Sequence, residues 1–487
     1  MSGTPAQRFT RRKFLAGAAG AALAAASGWE AVETLGAGTA SAVDLPLSYR
    51  TRPDLAPPRV RVDVPPLQVA DGYVFVAAVT GPGQRGPMIV DNRGELVWFR
   101  PLASGTATCF RAQSYRGRPV LTWWQGQITS GYGRGEYVIA DSSYRDVATV
   151  QAGNGLQGDL HEFLITAEGT ALLTAYESIP ANLSSVGGPV SGTLLESVVQ
   201  EVDIASGQVL FEWRAADHVG LDETYAVVQG GGLDHFHVNS IDVDLDGNLL
   251  VSARHTWSVY KLDRRSGAII WRLGGKKSDF ALGPGATFAW QHDARRQPDG
   301  SITIFDDGDG PTQVEPTSRG IRLAVDETAK TAGLVHQYVH PDRLLAGAMG
   351  SMQRLPDGAF FVGWGTAAHF SEFGPSGVLR FDARLPGGSS YRAYRMPWTG
   401  RPTSAPALTV ARVGGSRVLF ASWNGATELA HWRLTGGRSR TALQQLAVVP
   451  REGFETRIPL SGNFPYLAVE GLDRSGRTLG QSRTLRV

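Results

Sequence analysis

The chain has 487 residues, of which 42% are hydrophobic and only 19% charged, a balance that excludes a disordered chain and supplies a large core. Its 47 basic and 45 acidic groups leave a net charge of +2, which excludes a strong electrostatic footprint, so no nucleic-acid partner is expected. A single cysteine, Cys109, excludes a disulfide framework, an Fe–S cluster and a paired-cysteine zinc site.

Taken in chain order, residues 1–42 read as a targeting segment. Arg8, Arg11, Arg12 and Lys13 precede an Ala/Gly/Leu run from Phe14 to Ala26, and a small-residue site follows at Ala40-Ser41-Ala42. Thr10-Arg11-Arg12-Lys13-Phe14-Leu15 resembles the twin-arginine export motif, with Ala16 where a lysine is common. Export by the twin-arginine machinery and a secreted, extracytoplasmic mature protein are therefore expected, with an uncleaved anchor as the alternative. Cytosolic nucleotide cofactors lose weight with that reading, and neither GxxxxGK[ST] nor a helix-opening GxGxxG is visible. No cofactor is expected.

After an N-terminal extension over 43–69, a repeated unit begins. Segments opening at His161, His237, His292 and Gly350, spaced by 76, 55 and 58 residues, each read as a strand, a Gly-bearing turn and an apolar strand. Further strands over 198–203 and 209–214, and over 258–263 and 268–273, complete two units through the turns at Asp203–Gly207 and Asp263–Gly267. Trp213 and Trp271 lie in the closing strands, and Asp91-Asn-Arg-Gly94 leading to Trp98 repeats that ending. Degenerate units are read over 110–153 and 407–434, with the strands of 73–101 supplying a closing set. The fold class expected is all-β: a six-bladed β-propeller over 70–434, seven blades being the alternative. Residues 435–487 are expected to form a small sandwich-like β appendage.

Three of the ten histidines, His161, His237 and His292, share one position in consecutive units. The innermost strands of a propeller line its channel, so these rings must converge although they lie up to 131 residues apart. Gly350 fills the slot in the fourth unit and would leave room for a ligand, and Arg254 can return to the same mouth. Asp159, Asn239 and Asp293 flank the histidines. Three imidazoles can also bind zinc with an open fourth position, with Glu162 as a carboxylate behind them, so both readings stand on the residues alone. His235 is a candidate supporting group, while His218, His255, His336, His340, His369 and His431 carry no positional argument. Trp290, Phe236 and Tyr176 are candidate stacking surfaces or ordinary core, and Lys276 and Lys277 would add charge at the mouth or stay solvated.

Asp159-Leu-His-Glu-Phe163, His235-Phe-His-Val-Asn-Ser240, Ser252-Ala-Arg-His255, Ile270-Trp-Arg-Leu-Gly-Gly275 and Gln291-His-Asp-Ala294 occur in order and at blade spacing. Together they resemble the arylsulfotransferase propeller family, in its smaller exported bacterial and fungal branch, from about residue 70 to 434. The segments 350–365 and Ser422-Trp-Asn-Gly-Ala426 fit that branch too. The resemblance implies transfer of a sulfuryl group from an aryl sulfate donor to a phenolic acceptor without a nucleotide carrier. It implies a transiently sulfated His292, sulfuryl binding and proton transfer by His237 and Arg254, a supporting contact from His161, a polar contact from Asn239, and no metal. The large periplasmic members carry a disulfide and an extra N-terminal sandwich, and this chain, with one cysteine, can have no intramolecular disulfide. Two other classes remain on the residues: a quinoprotein-like redox propeller, suggested by the Asp263, Gly267 and Trp271 blade ending, and a non-catalytic propeller that binds polysaccharide or protein.

Overall fold

The structure, a computed structural model, describes residues 45–487. The expected targeting segment, and with it the twin-arginine motif, lies outside the described residues. The protein is all-β: among the described residues, only short 3-10 turns at Ser184–Val186, Ala215–Asp217, Leu221–Glu223 and Gly365–Ala367 interrupt the strands.

The strands form antiparallel sets of four. Val238–Val243, Leu249–Ala253, Ser258–Leu262 and Ile269–Gly274 pair in sequence order. His292–Arg296 opens the next set, which runs through Ile302–Asp306 and Arg319–Asp326 to Thr331–Tyr338. Ser351–Arg354 opens another, ending at Leu379–Arg384, whose outer edge is extended by Arg61–Val64 from the N-terminal extension. The sets opened by Thr106–Tyr115 and Gly158–Ile165 are joined by a bridge between Gly135 and Gly158 into one sheet. The remaining set draws on both ends of the body, Ser389–Met396 pairing with Tyr73–Thr80 ahead of Pro87–Val90 and Leu96–Phe99.

The turns explain why these sequences fold back where they do. Asp263 Oδ1 accepts from the backbone N–H of Arg265 and Ser266, and Gly267 at φ +74 closes the turn. Asp203 and Gly207 repeat the arrangement. The closing-strand tryptophans then reach sideways. Trp213 Nε1 donates to the Gly267 carbonyl at 3.0 Å, Trp271 Nε1 donates to Glu327 Oε2 at 2.9 Å, and Trp98 stacks on Tyr144 at 4.8 Å. Each therefore ties the outer edge of its own set to a turn of the next, a packing role.

Apolar clusters fill the space between successive sets. Phe75, Ile89 and Trp98 meet Phe110, Leu121 and Trp123. Val120, Tyr137 and Ile139 meet Leu160, Phe163 and Leu173. Val199 and Trp213 meet Val238 and Val251, Val259 and Trp271 meet Ile304 and Ile321, and Phe305 and Tyr338 meet Met352 and Val362. Phe361, Phe370 and Phe381 meet Val74, Val76 and Met88. The first strands also neighbour one another, with Thr106–Tyr115 against Gly158–Ile165, then Val238–Val243, His292–Arg296, Ser351–Arg354 and Ser389–Met396, which lies against Thr106–Tyr115.

Residues 407–434, expected as a degenerate repeat of this body, are instead part of the C-terminal unit. Ser416–Ser422 pairs on one edge with Ala407–Val413 and on the other with Glu455–Pro459. His431–Ser439 is central to a second sheet, between Ala442–Pro450 and Tyr466–Leu472. The two sheets share a core of Leu419, Trp423, Trp432, Ile458 and Val469, so the appendage starts near residue 407 rather than 435. Asn424 clamps it to the body, its side chain accepting from the Phe99 N–H and donating to the Phe99 carbonyl.

Candidate active site

The ends of the first strands gather the expected side chains. The His161 ring sits edge-on to His237 at 4.9 Å, and Tyr391 lies 5.4 Å from His161 and 6.1 Å from His292. His161, His237, His292 and Arg254 are all buried. The local backbone is unusual: His237, Asp293, Trp290 and Met349 hold positive φ of 56, 57, 58 and 69°. Such conformations are costly for non-glycine residues and concentrate where a side chain must be aimed.

Each of the three imidazoles has its Nδ1 on a carboxylate. His161 Nδ1 lies 2.5 Å from Asp159 Oδ2, His237 Nδ1 2.5 Å from Asp234 Oδ2, and His292 Nδ1 2.8 Å from Asp307 Oδ2. A ring held at Nδ1 presents Nε2 as its working atom. At His292 the tautomer is set from both sides, because the Met349 N–H donates toward Nε2 at 3.3 Å. Nε2 is then the lone-pair nitrogen and Nδ1 carries the hydrogen given to Asp307. Burial, followed by the charge of Arg254, holds the His292 imidazole well below its ordinary range, so the ring is neutral. Burial lowers His237 as well, against the raising effect of Asp234. Burial alone would raise Asp234; His237 and His255 overcome it and hold the carboxyl far below the usual range.

Arg254 approaches from the loop after Leu249–Ala253. Its Nη1 donates to His255 Nε2 at 3.0 Å and its Nη2 to the Gly347 carbonyl at 2.8 Å, and the guanidinium lies over Trp290 at 4.9 Å. Its Nε is buried without a partner, which leaves a donor for a bound anion.

Asn239 is one layer deeper. Its Nδ2 donates to the Gln291 carbonyl at 2.6 Å, its own carbonyl accepts from Arg392 and Tyr391, and its Oδ1 is buried without a partner. Below it, Glu162 receives Arg111 and Arg392 and also pairs with Arg295, while Asp293 is held by Arg295 and Arg392. Burial would raise Glu162, and the three guanidiniums pull it well below its ordinary value. Glu162 is thus the hub of an arginine cluster, and not a carboxylate behind a metal ligand.

Gly350 leaves no room for a ligand: a Cβ there would meet the Phe305 ring at 2.4 Å, so packing demands the glycine. Phe236 is core, against Trp213 and Tyr260, whereas Tyr176 and Trp290 border the site. Lys277 is spent on Asp222 at 2.8 Å, and Lys276 sits over Tyr225. His235 hydrogen-bonds to none of the site residues and is lowered to about 4 by burial. Cys109 is buried, its thiol pushed up to about 12 by that burial, which makes it unreactive.

The reading from sequence missed Asp234, Asp307, Tyr391 and His255. Asp234 stands three residues before His237, a spacing that could have been noticed; Asp307 follows the strand Ile302–Asp306 and Tyr391 lies in Ser389–Met396, and neither carries a local signal. Among the described residues, two clusters bring nitrogen and carboxylate atoms close enough for a metal, Asp234 with His237 and His255, and His340 with His369 and Asp382. In the first cluster protein partners use both His255 nitrogens, whereas in the second His340 Nε2 faces Asp382 Oδ1 at 3.3 Å without a hydrogen bond. His255 gives Nδ1 to the Asp234 carbonyl at 2.6 Å and Nε2 to Arg254, and His340 Nδ1 accepts the Asp342 N–H.

The arylsulfotransferase (ASST) family model matches residues 111–385, more than half of the chain, including His161, His237, Arg254 and His292. The chain belongs to the arylsulfotransferase family. Membership supports aryl sulfotransferase activity in general. No curated protein matches the chain. Among solved structures, it is similar to a protein of unknown function from Bacteroides caccae, at 12% identity over 66% of this chain and 98% of that one, with a TM-score of 0.40. It is also similar to a catalytically inactive virginiamycin B lyase from Staphylococcus aureus bound to quinupristin, at 8% identity over 75% and 97%, with a TM-score of 0.35. These likenesses are too distant to bear on the site.

Proposed function

We propose that this arylsulfotransferase-family protein moves a sulfuryl group from an aryl sulfate to a phenolic acceptor, without a nucleotide carrier and by a ping-pong route through sulfated His292. The observation that carries the reading is the neutral, doubly oriented His292 ring beside an arginine whose Nε has no partner. His292 Nε2 gives up the long contact with the Met349 N–H and its lone pair attacks sulfur; the N–S bond forms as the S–O bond to the aryl group breaks, and the electron pair leaves with the phenolate oxygen. His237 enters this half-reaction as an imidazolium on the Asp234 carboxylate, gives its Nε2 proton to that oxygen and is left neutral with Nδ1–H on Asp234; in the return transfer Nε2 takes the proton of the acceptor hydroxyl and the imidazolium is restored. Arg254 holds the sulfuryl oxygens, whose charge a planar guanidinium fork matches. His161, braced by Asp159, supports the same oxygens, and Asn239 orients the neighbouring strand.

The body is further proposed to be a closed six-bladed propeller. The cyclic order of neighbouring first strands, and an apolar cluster between every successive pair of sets, support it. Export of the folded protein by the twin-arginine route is proposed from Arg11 and Arg12.

The deciding experiment is release of 4-nitrophenol from 4-nitrophenyl sulfate, with and without phenol, in the presence of a metal chelator. Acceptor-dependent release that survives chelation is expected, and loss on chelation would restore the zinc reading. His292→Asn is expected to abolish release while leaving the circular dichroism spectrum unchanged; normal turnover by that variant would remove His292 as the nucleophile. Binding of aryl sulfates with no turnover under any acceptor would favour a ligand-binding role.

A further inference from the structure

His255 follows Arg254 directly, yet both of its ring nitrogens are committed. Nδ1 lies 2.6 Å from the Asp234 backbone carbonyl, which can only accept, so Nδ1 carries the ring hydrogen. Nε2 is therefore a lone pair, and it faces Arg254 Nη1, which can only donate, at 3.0 Å. The geometry defines a single state of this side chain: neutral, with one named tautomer. A protonated ring would bring an N–H against a guanidinium N–H. Burial favours the neutral form by lowering the imidazole below its ordinary range.

The groups around His255 leave nothing else to take over this bond. Asp234 Oδ1 is 3.6 Å from Nδ1, while Oδ2 of the same carboxylate is engaged by His237. The His237 ring is 4.6 Å away, His235 belongs to the same loop, and Trp290 meets His255 edge-on at 5.8 Å. Asp307 and Asp309 act on the guanidinium from the opposite loop but do not pair with it. Arg254 is thus gripped at three points: Nη1 by His255, Nη2 by the Gly347 carbonyl, and its flat face by Trp290. Of these, only His255 holds Nη1, and so sets the rotation that turns Nε and the free guanidinium hydrogens in a fixed direction.

We infer that His255 is the positioning residue for Arg254, supplying a hydrogen-bond acceptor that fixes the guanidinium for the anion it binds. The inference rests on the sulfuryl-transfer reading for the identity of that anion. Asp234 then serves two elements at once: its carboxylate holds His237, and its carbonyl holds the residue that holds Arg254.

The test is a double-mutant cycle with a rescue, on the full mature chain. His255→Gln places an amide oxygen where Nε2 accepts, whereas His255→Leu removes the acceptor at similar size. Calorimetric binding of inorganic sulfate and kcat/KM for 4-nitrophenyl sulfate are measured for both, alone and combined with Arg254→Lys. The expected result is a loss of at least about tenfold in sulfate affinity for His255→Leu, recovery to within about threefold for His255→Gln, and little further loss when His255→Leu is added to Arg254→Lys. Additive effects of the two substitutions, or glutamine no better than leucine, would overturn the inference. Sulfate binding that follows this pattern in a protein that turns over no aryl sulfate would overturn the sulfuryl-transfer reading and leave the positioning role standing.

Discussion

At the scale of single residues, the site is a set of imidazoles each tied at Nδ1, facing one arginine whose orientation is fixed by its neighbours. The arrangement separates tasks that one side chain could not combine. His292 is kept neutral by burial and by the charge of Arg254, while His237 shares its hydrogen with a carboxylate held far below its ordinary value. Arg254→Lys replaces a planar fork that spans His255 and Gly347 with a point charge that can satisfy neither geometry. Its kcat for 4-nitrophenyl sulfate is expected to fall about 100-fold with the fold unchanged, a magnitude typical of losing one oriented donor. Steady-state kinetics beside a thermal melt check both halves of that statement.

At the scale of elements, the site depends on where each first strand starts, and the glycines at those starts have specific duties. Gly350 combines φ +111 with a Phe305 ring that would stand 2.4 Å from any Cβ. Gly350→Ala should therefore destabilise the protein by about 2 kcal/mol or more, read as a lower denaturant midpoint at unchanged slope. The strand repeat, the Asp-to-Gly turns and the three histidine slots were legible in the sequence, because each is a local pattern with a fixed period. Asp307 and Tyr391 were not, because Asp307 lies just past the strand Ile302–Asp306 and Tyr391 lies within Ser389–Met396, and neither position carries a repeated marker. The division between body and appendage was misplaced for a related reason. Residues 407–434 look like one more hairpin of the body, and only the pairing of Ser416–Ser422 with Glu455–Pro459 assigns them elsewhere.

At the scale of the whole molecule, the polar cluster beneath the site links distant parts of the chain. Glu162 binds Arg111, Arg295 and Arg392, contributed by the first strands of three other sets. Glu162→Gln leaves three buried guanidiniums short of a counter-charge and should cost about 3–5 kcal/mol in denaturant unfolding. Protonation adds a global dependence on pH. Burial lowers the imidazoles of His235, His237, His255 and His292 in the folded protein. Below the unfolded-state value of about 6.5 the unfolded chain binds protons that the folded chain refuses, so stability falls as pH falls through that value and is insensitive to these groups above it. Buried carboxyls act in the opposite sense over the same range, burial raising Glu196 to about 7 and Asp242 and Asp306 to about 6, so the share of the imidazoles is read by substitution: between pH 7.5 and 5.5 the melting temperature of His235→Leu should shift upward relative to that of the unchanged protein.

The pairing of Tyr73–Thr80 with Ser389–Met396 also has a consequence in time. The hydroxyls of Thr80 and Ser389 meet across 309 residues of chain, so the first long strand to leave the ribosome waits for one of the last strands of the body. At about 5–20 residues per second, that interval lasts roughly 15–60 seconds, with the apolar surface of Val74, Val76 and Met88 lacking the phenylalanines that cover it in the finished protein. A nascent chain in this condition offers a bare strand edge to any extended segment nearby. Ribosome-associated holdases should therefore be found on this polypeptide throughout its synthesis, and should release it only once residue 396 has emerged.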